Sequence, residues 1–429
     1  MVKPNSSQVG PRVFQAFGSI NYRLYFFGQS LSLIGTWMQR TAVYWLIFEL
    51  TQSAFILGLT AFCAQFPSFL FSILGGVVSD RYNRFNVLLA TQVASLVQAV
   101  ILTVLVYSGV HEVWQILALS VLLGCINAFD VPARQALVYD MIDNKEHLPN
   151  AIALNSSMVN IARLAGPAIA GLVLEKFGAE MCFASNAFSF VAVIISLLFM
   201  KLPPFQQKER VTTVRQDLSE GLSYLKMTPG IRKIIIMLAC VSFLSLPYVT
   251  LLPVFADNIL HGSALTFGLL NTFVGFGAVT GALFLASLKT GTNLKVVLFR
   301  CTLLFGIGLM SFAYMQSIYP ALLCMAVVGF GMMAQTTISN TIIQTTVAPA
   351  MRGRVISFYA MAFFGMQPVG GLLVGAIAHA TGAQFTILCQ GIATLLIAVV
   401  FFPFLRRDIL LRKQRMKLKQ VEEQIVENT

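Results

Sequence analysis

Apolar blocks, each close to the ~20 residues an α-helix needs to cross a bilayer, divide this chain along nearly its whole length. About twelve are legible, at roughly 22–48, 54–79, 86–108, 112–139, 151–175, 180–200, 231–257, 264–288, 294–314, 318–343, 353–378 and 383–405. Lipid offers no hydrogen-bonding partner, so a spanning backbone must satisfy its own N–H and C=O groups, and blocks of this length become helices. Several carry Pro or Gly, which membrane helices tolerate. Hydrophobic residues make up 57% and charged residues 11%, where a soluble domain carries about 25% charge. The mean hydropathy is +0.78. The expected fold is all-α and integral to the membrane. No cleavable signal peptide is expected, because the first block is too long and follows a polar, weakly basic leader.

A net charge of +12 is compatible with nucleic-acid binding until its placement is considered. With the N-terminus inside, the inner side collects Lys3, Arg12, Arg23, the 80–84 loop, the 201–233 connection, Lys289, Lys295, Arg300, Arg352, Arg354 and the tail from Arg406 to Lys419. The outer loops keep only Lys176. That is the positive-inside pattern, and an even number of spans puts both termini in the cytoplasm. The charge therefore serves topology, and the basic tail anchors near anionic lipid; no nucleic-acid partner is expected. The seven cysteines (63, 125, 182, 240, 301, 324 and 389) are scattered through apolar blocks with no metal-ligand or disulfide spacing. The histidines, at 111, 147, 261 and 379, fall at helix ends or in loops. No metal or cofactor is expected.

Between the second and third blocks lies Gly76-Val77-Val78-Ser79-Asp80-Arg81-Tyr82-Asn83-Arg84-Phe85. The glycines allow close helix approach, and Asp80 with Arg81 and Arg84 forms an ion-paired latch at the membrane surface. This G-x-x-x-D-R-x-x-R pattern resembles the second-to-third-helix loop of the major facilitator superfamily, whose members are secondary transporters. Asn83 replaces the family's usual glycine; both tolerate a left-handed backbone, so a left-handed turn is expected there. Three other segments add to the resemblance. Gly124 to Gln135 closes the fourth block, and Asn160-Ile161-Ala162-Arg163-Leu164-Ala165-Gly166-Pro167 followed by Gly171 fills the fifth. The latter resembles the fifth-helix motif of exporters. Arg352-Gly353-Arg354-Val355-Ile356-Ser357 opens the eleventh, and Asp217 to Leu225 precedes the seventh. Together these resemble the branch that includes enterobactin, or siderophore, exporters.

The resemblance implies two pseudo-symmetric six-helix bundles. It divides the chain into a cytoplasmic leader (1–21), an N-terminal bundle (22–200), a cytoplasmic linker (201–230), a C-terminal bundle (231–405) and a basic tail (406–429). It also implies a monomeric carrier in a bacterial inner membrane, with a small-molecule substrate and protons as coupling ion. The expected activity is proton-coupled export of a siderophore or similar metabolite. Broad drug efflux by proton antiport and lysolipid flipping are the alternatives. No enzyme constellation or G-x-x-x-x-G-K-S loop is present, so ATP is not the expected energy source.

Ionisable residues inside a bilayer are functional candidates because burying them is expensive. Asp130 and Arg134 share a helix face at i and i+4. They are either a proton switch or, with Asp80 and Arg84, a structural latch. Arg40 either snorkels to the outer interface or meets an anionic substrate group. Arg163, near mid-membrane, lines a cavity or pairs with Asp130. Glu49 and Asp257, at outer helix ends, are solvated acids or proton entry points. Gln39, Gln65, Asn127, Asn160, Asn271, Asn340 and Gln367 are uncharged candidates for a cavity lining. Tyr44, Phe62, Tyr248 and Phe363 are candidate aromatic walls, although with 35 phenylalanines packing explains most such positions.

Overall fold

The structure, a computed structural model, describes residues 12–109, 112–202, 214–289 and 291–403. The leader's first residues, His111, positions 203–213 of the linker and the basic tail lie outside the described residues. After a short turn at Arg12–Gly18, five long helices follow: α1 (Ile20–Thr51), α2 (Ala54–Arg81), α3 (Arg84–Tyr107), α4 (Val113–Met141) and α5 (Leu148–Leu198).

Local chemistry sets their ends. Ser53 caps α2, its hydroxyl accepting from the Ile56 amide. Glu112 and Gln115 cap α4 reciprocally. The α2–α3 loop differs from expectation. Asn83 is extended, at φ −60° and ψ 114°, not left-handed. Its Oδ1 accepts from the Phe85 amide at 2.9 Å, so this asparagine is a helix N-cap, a role in which asparagine excels and glycine offers no side-chain acceptor.

As one straight rod, the 51 residues of α5 would reach ~76 Å, over twice the hydrocarbon thickness. The chain breaks instead at Gly178, whose φ of 82° favours glycine. The two arms lie side by side, with the Cys182 thiol 3.8 Å from the Ala170 carbonyl.

The 201–230 segment contains α6 (Val214–Met227), and α7 (Pro229–Leu244) follows. A 3₁₀ stretch extends α7, ending in a π-turn at Phe255–Ile259. Helices Ala264–Ala286, Leu294–Ala313, Ile318–Thr346, Pro349–Thr381 and Ala383–Pro403 complete the described chain. Ten helices among the described residues are long and apolar enough to cross a membrane. That number takes α5 once and omits α1. Separating the arms of α5 and adding the 32-residue α1 brings the spans to twelve. This is an all-α, multi-pass membrane protein.

The chain forms two compact units. One holds Met1–Glu209 and His261–Thr272, the other Arg210–Leu260 and Phe273–Thr429. A reciprocal glycine crossing recurs in each. In the first unit, Gly75 of α2 abuts the Ala128 carbonyl of α4, and Gly124 of α4 abuts the Ala64 carbonyl of α2. In the second, Gly277 abuts the Ala326 carbonyl and Gly329 the Val274 carbonyl. With no hydrophobic drive between helices in lipid, small residues at the crossing provide the association by close packing.

In the second unit, α6 docks onto the start of helix Pro349–Thr381. Glu220 pairs with Arg354 at 2.8 Å, Gly221 packs on the Phe358 ring, and the Ala348 amide donates to the Tyr224 hydroxyl at 3.4 Å. Two sequence segments 134 residues apart, those around 220 and 354, thus meet. A π-turn at Met361–Gly365 follows immediately.

Candidate functional site

The first unit places two of the expected cations on one aromatic ring. Trp37 and Arg40 stand three residues apart on one face of α1, and the Arg40 guanidinium carbon lies 5.2 Å from the Trp37 ring centre. Arg163, from the first arm of α5, lies 5.7 Å from the same ring. Both are within the ~6 Å reach of a cation–π contact. Gly166 creates the proximity: its Cα faces Trp37 so closely that any Cβ would strike the Trp37 side chain. Tyr44, 6% exposed, sits one turn beyond Arg40 with its hydroxyl in reach of that guanidinium. All three members of the Arg40–Trp37–Arg163 group are half-buried. The result is a half-buried surface that carries two guanidiniums on one indole. In a low-dielectric setting such a surface favours an anion, and guanidiniums bind carboxylates by paired N–H donors.

Arg163 therefore stands beside Trp37, while Asp130 pairs with Arg134. The Gly166-Pro167 segment has a second role: the Pro167 carbonyl and Gly171 abut Gly268, so His261–Thr272 packs with the first unit.

Gln39 is engaged elsewhere. Its Nε2 donates to Gln98 Oε1 at 3.0 Å and its Oε1 accepts from Asn186 Nδ2 at 2.8 Å. Gln98 donates on to the Leu119 carbonyl, and Ser189 to Asn186. Gln39, Gln98 and Asn186 are each at most 2% exposed. This network ties α1, α3, α4 and the second arm of α5 together. It fixes the rotation of α1, and with it the direction in which the neighbouring Arg40 projects. We expect Gln39→Leu to leave Gln98 and Asn186 short of partners, at about 1–3 kcal/mol for each orphaned group. Thermal unfolding in detergent checks this, and an unchanged midpoint contradicts it.

Asp130, 5% exposed, lies at a second focus. Arg134 pairs with its Oδ2 at 3.3 Å, and Gln92 Nε2 donates to its Oδ1 at 2.6 Å. Thr91 divides its one hydroxyl proton between Oδ1 at 3.1 Å and the Leu88 carbonyl at 2.8 Å. Further along α4, Asp140 pairs with Arg84 at 3.0 Å. Asp80 is half-buried and Arg81 exposed at the end of α2.

The remaining candidates are dispersed. In the first unit, Glu49 accepts from the Trp45 indole at 2.7 Å; Gln65 and Asn127 are half-buried on α2 and α4. Asn160 and Asn271 donate to carbonyls one turn back, at Ser156 and Phe267. In the second unit, Tyr248 is fully buried with its ring edge-on to Phe305. Asn340 accepts from Gln344 at 3.1 Å. Gln367 is half-buried just past the Met361–Gly365 π-turn, and Asp257 lies within the Phe255–Ile259 one. Sequence reasoning missed the contacts that Trp37, Gln92 and Asp140 make. The i, i+3 spacing of Trp37 and Arg40 was the one available signal.

Twelve spans, two compact units with a repeated glycine crossing, and buried charges inside one helix bundle define a secondary transporter of the major facilitator fold. The chain belongs to the family described as transmembrane secretion effector, whose model matches residues 13–428. It is 30% identical to the Staphyloferrin A transporter of Staphylococcus aureus, over 90% of this chain and 97% of that protein. It is 24% identical to the enterobactin exporter of Shigella boydii, over 88% and 92%. With macrolide efflux protein A of Streptococcus pyogenes it shares 21%, over 89% and 96%. Among solved structures, a mutant of the nucleoside transporter NupG superposes with a TM-score of 0.73 at 13% identity, covering 90% of this chain and 99% of that one. This is a multi-pass bacterial membrane protein that moves small molecules, and its family is one of transporters, not enzymes.

Proposed function

We propose that this transporter exports a small anionic metabolite of the siderophore type by alternating access, driven by inward proton flow. The observation that carries the reading is the pair of guanidiniums, Arg40 and Arg163, that share the Trp37 ring. Carboxylate or catecholate groups on a substrate satisfy both, and the indole offers a flat face beside them. Asp130, buried and paired with Arg134, is the proton carrier: when neutral it releases Arg134. The names of the two metabolite-transporting relatives support the substrate class. The Lys and Arg distribution supports cytoplasmic termini.

Uptake into inside-out vesicles, with an acidic lumen imposed or omitted, tests this. We expect gradient-driven accumulation of an iron-free siderophore and little of a cationic dye. Accumulation of the dye instead supports drug efflux, consistent with the Phe62–Phe66 stack at 4.5 Å and the macrolide-efflux relative. Accumulation of neither removes proton-driven export for these compounds and brings lysolipid flipping forward.

A further inference from the structure

Around Asp130 one atom has no partner. A carboxylate accepts and never donates, so the amide of Gln92 must present Nε2 to Asp130 Oδ1. Gln92 Oε1 is thereby left buried without a hydrogen-bond partner, on a side chain only 3% exposed. An orphaned acceptor at this depth is costly. A buried polar group left this way calls for a reason.

Protonation of Asp130 supplies the missing donor. The neutral acid carries one O–H. If the Gln92 amide turns by half a rotation about its terminal bond, Oε1 accepts from that O–H and Nε2 moves to where Oε1 had been. One proton is added, and Nε2 takes the place of Oε1, so the position without a partner holds an acceptor beside the anion and a donor beside the neutral acid. The same glutamine then bonds both forms of the acid, as donor to the anion and as acceptor from the neutral group. Arg134 loses its charged partner in that step.

We propose that Gln92 is the positioning residue that reads the protonation state of Asp130. It holds the neutral acid in place while Arg134 is released. This rests on Asp130 as the proton carrier. The surrounding groups are few. From α1 comes Tyr25, 1% exposed and in electrostatic reach of Asp130 and Arg134. From α5 comes Asn155, beside Tyr25, whose Oδ1 also lacks a partner. α3 gives Thr91 and Gln92, and α4 gives Arg134. α2 approaches at Gly75, against the Ala128 carbonyl. Arg84 and Asp140 pair further along. Thr91 is the nearest competing acceptor, its hydroxyl oxygen 3.1 Å from Oδ1 and able to keep its own proton on the Leu88 carbonyl, and Asn155 is the second.

Infrared difference spectra of the full-length protein in lipid, recorded on acidification, test the assignment. The carbonyl stretch of a neutral carboxyl falls when its O–H donates to an amide. We expect a carboxyl band that vanishes in Asp130→Asn, moves to higher frequency in Gln92→Leu, and stays in place in Thr91→Val and in Asn155→Ala. Gln92→Met, closer in length, serves the same test if leucine prevents folding. A band unmoved by either Gln92 substitution, or moved only by Thr91→Val or Asn155→Ala, overturns the role of Gln92 while leaving Asp130 as the carrier. A spectrum with no band dependent on Asp130 overturns both.

Discussion

Gly75→Leu yields little folded protein, whereas Gly76→Leu, one residue along, is tolerated. The contrast comes from what each Cα faces. A Cβ on Gly75 meets the backbone carbonyl of Ala128, while one on Gly76 meets nothing within 4 Å. A carbonyl in a helix has no rotamer into which it can retreat, so α2 and α4 must separate along their contact. Overpacking of a core costs about 1–3 kcal/mol, and displacing two helices exceeds that range. The strain also falls near the site, because Ala128 lies two residues before Asp130. Size-exclusion profiles and thermal unfolding check this. Similar profiles for both variants contradict it. The second unit repeats the contact at Gly277 and Gly329, and leucine at either position is expected to be as damaging.

Arg40→Leu and Arg163→Leu each raise the half-saturating concentration of an anionic substrate by about 10- to 100-fold, the worth of one charge-assisted hydrogen bond in a buried site. The double variant does worse than either. Arg40→Lys recovers part of the loss, since it keeps the charge but gives up the planar fork and the stacking on Trp37. A cationic dye, if carried at all, is carried no less well by these variants. The concentration dependence of vesicle uptake separates these outcomes. Equal losses for the anion and the dye contradict an anion site, pointing to general damage to the bundle.

The architecture was readable because the bilayer limits the choices. Span length, internal hydrogen bonding and basic residues on one side are local properties of sequence. Even the break in α5 had a local cause, Gly178 between two apolar runs. Partner choice was not local. Arg84 reaches Asp140 across 56 positions, and Gln39 reaches Asn186 across 147. Polar residues in a span avoid lipid whether they face a substrate or another helix. Sequence therefore offers Gln39 as a cavity lining and leaves Arg40 between the outer interface and a substrate, while the structure engages both amide atoms of Gln39 in the helix packing and sets Arg40 on Trp37. At Asn83 the reading relied on the residue's tolerance of a left-handed turn; its side-chain oxygen at the start of α3 offered the more favourable cap.

The fluorescence of Trp37 gives the most direct test that an anionic ligand binds between Arg40 and Arg163. The chain has three tryptophans, Trp37, Trp45 and Trp114, so Trp45→Phe with Trp114→Phe leaves Trp37 as the reporter. Titration of that protein with an iron-free siderophore should change its emission saturably. The change should weaken in Arg163→Leu, with no matching response to a cationic dye. Binding of the siderophore detected by calorimetry with no change at Trp37, or a response to the dye alone, would contradict an anion-export site at this position.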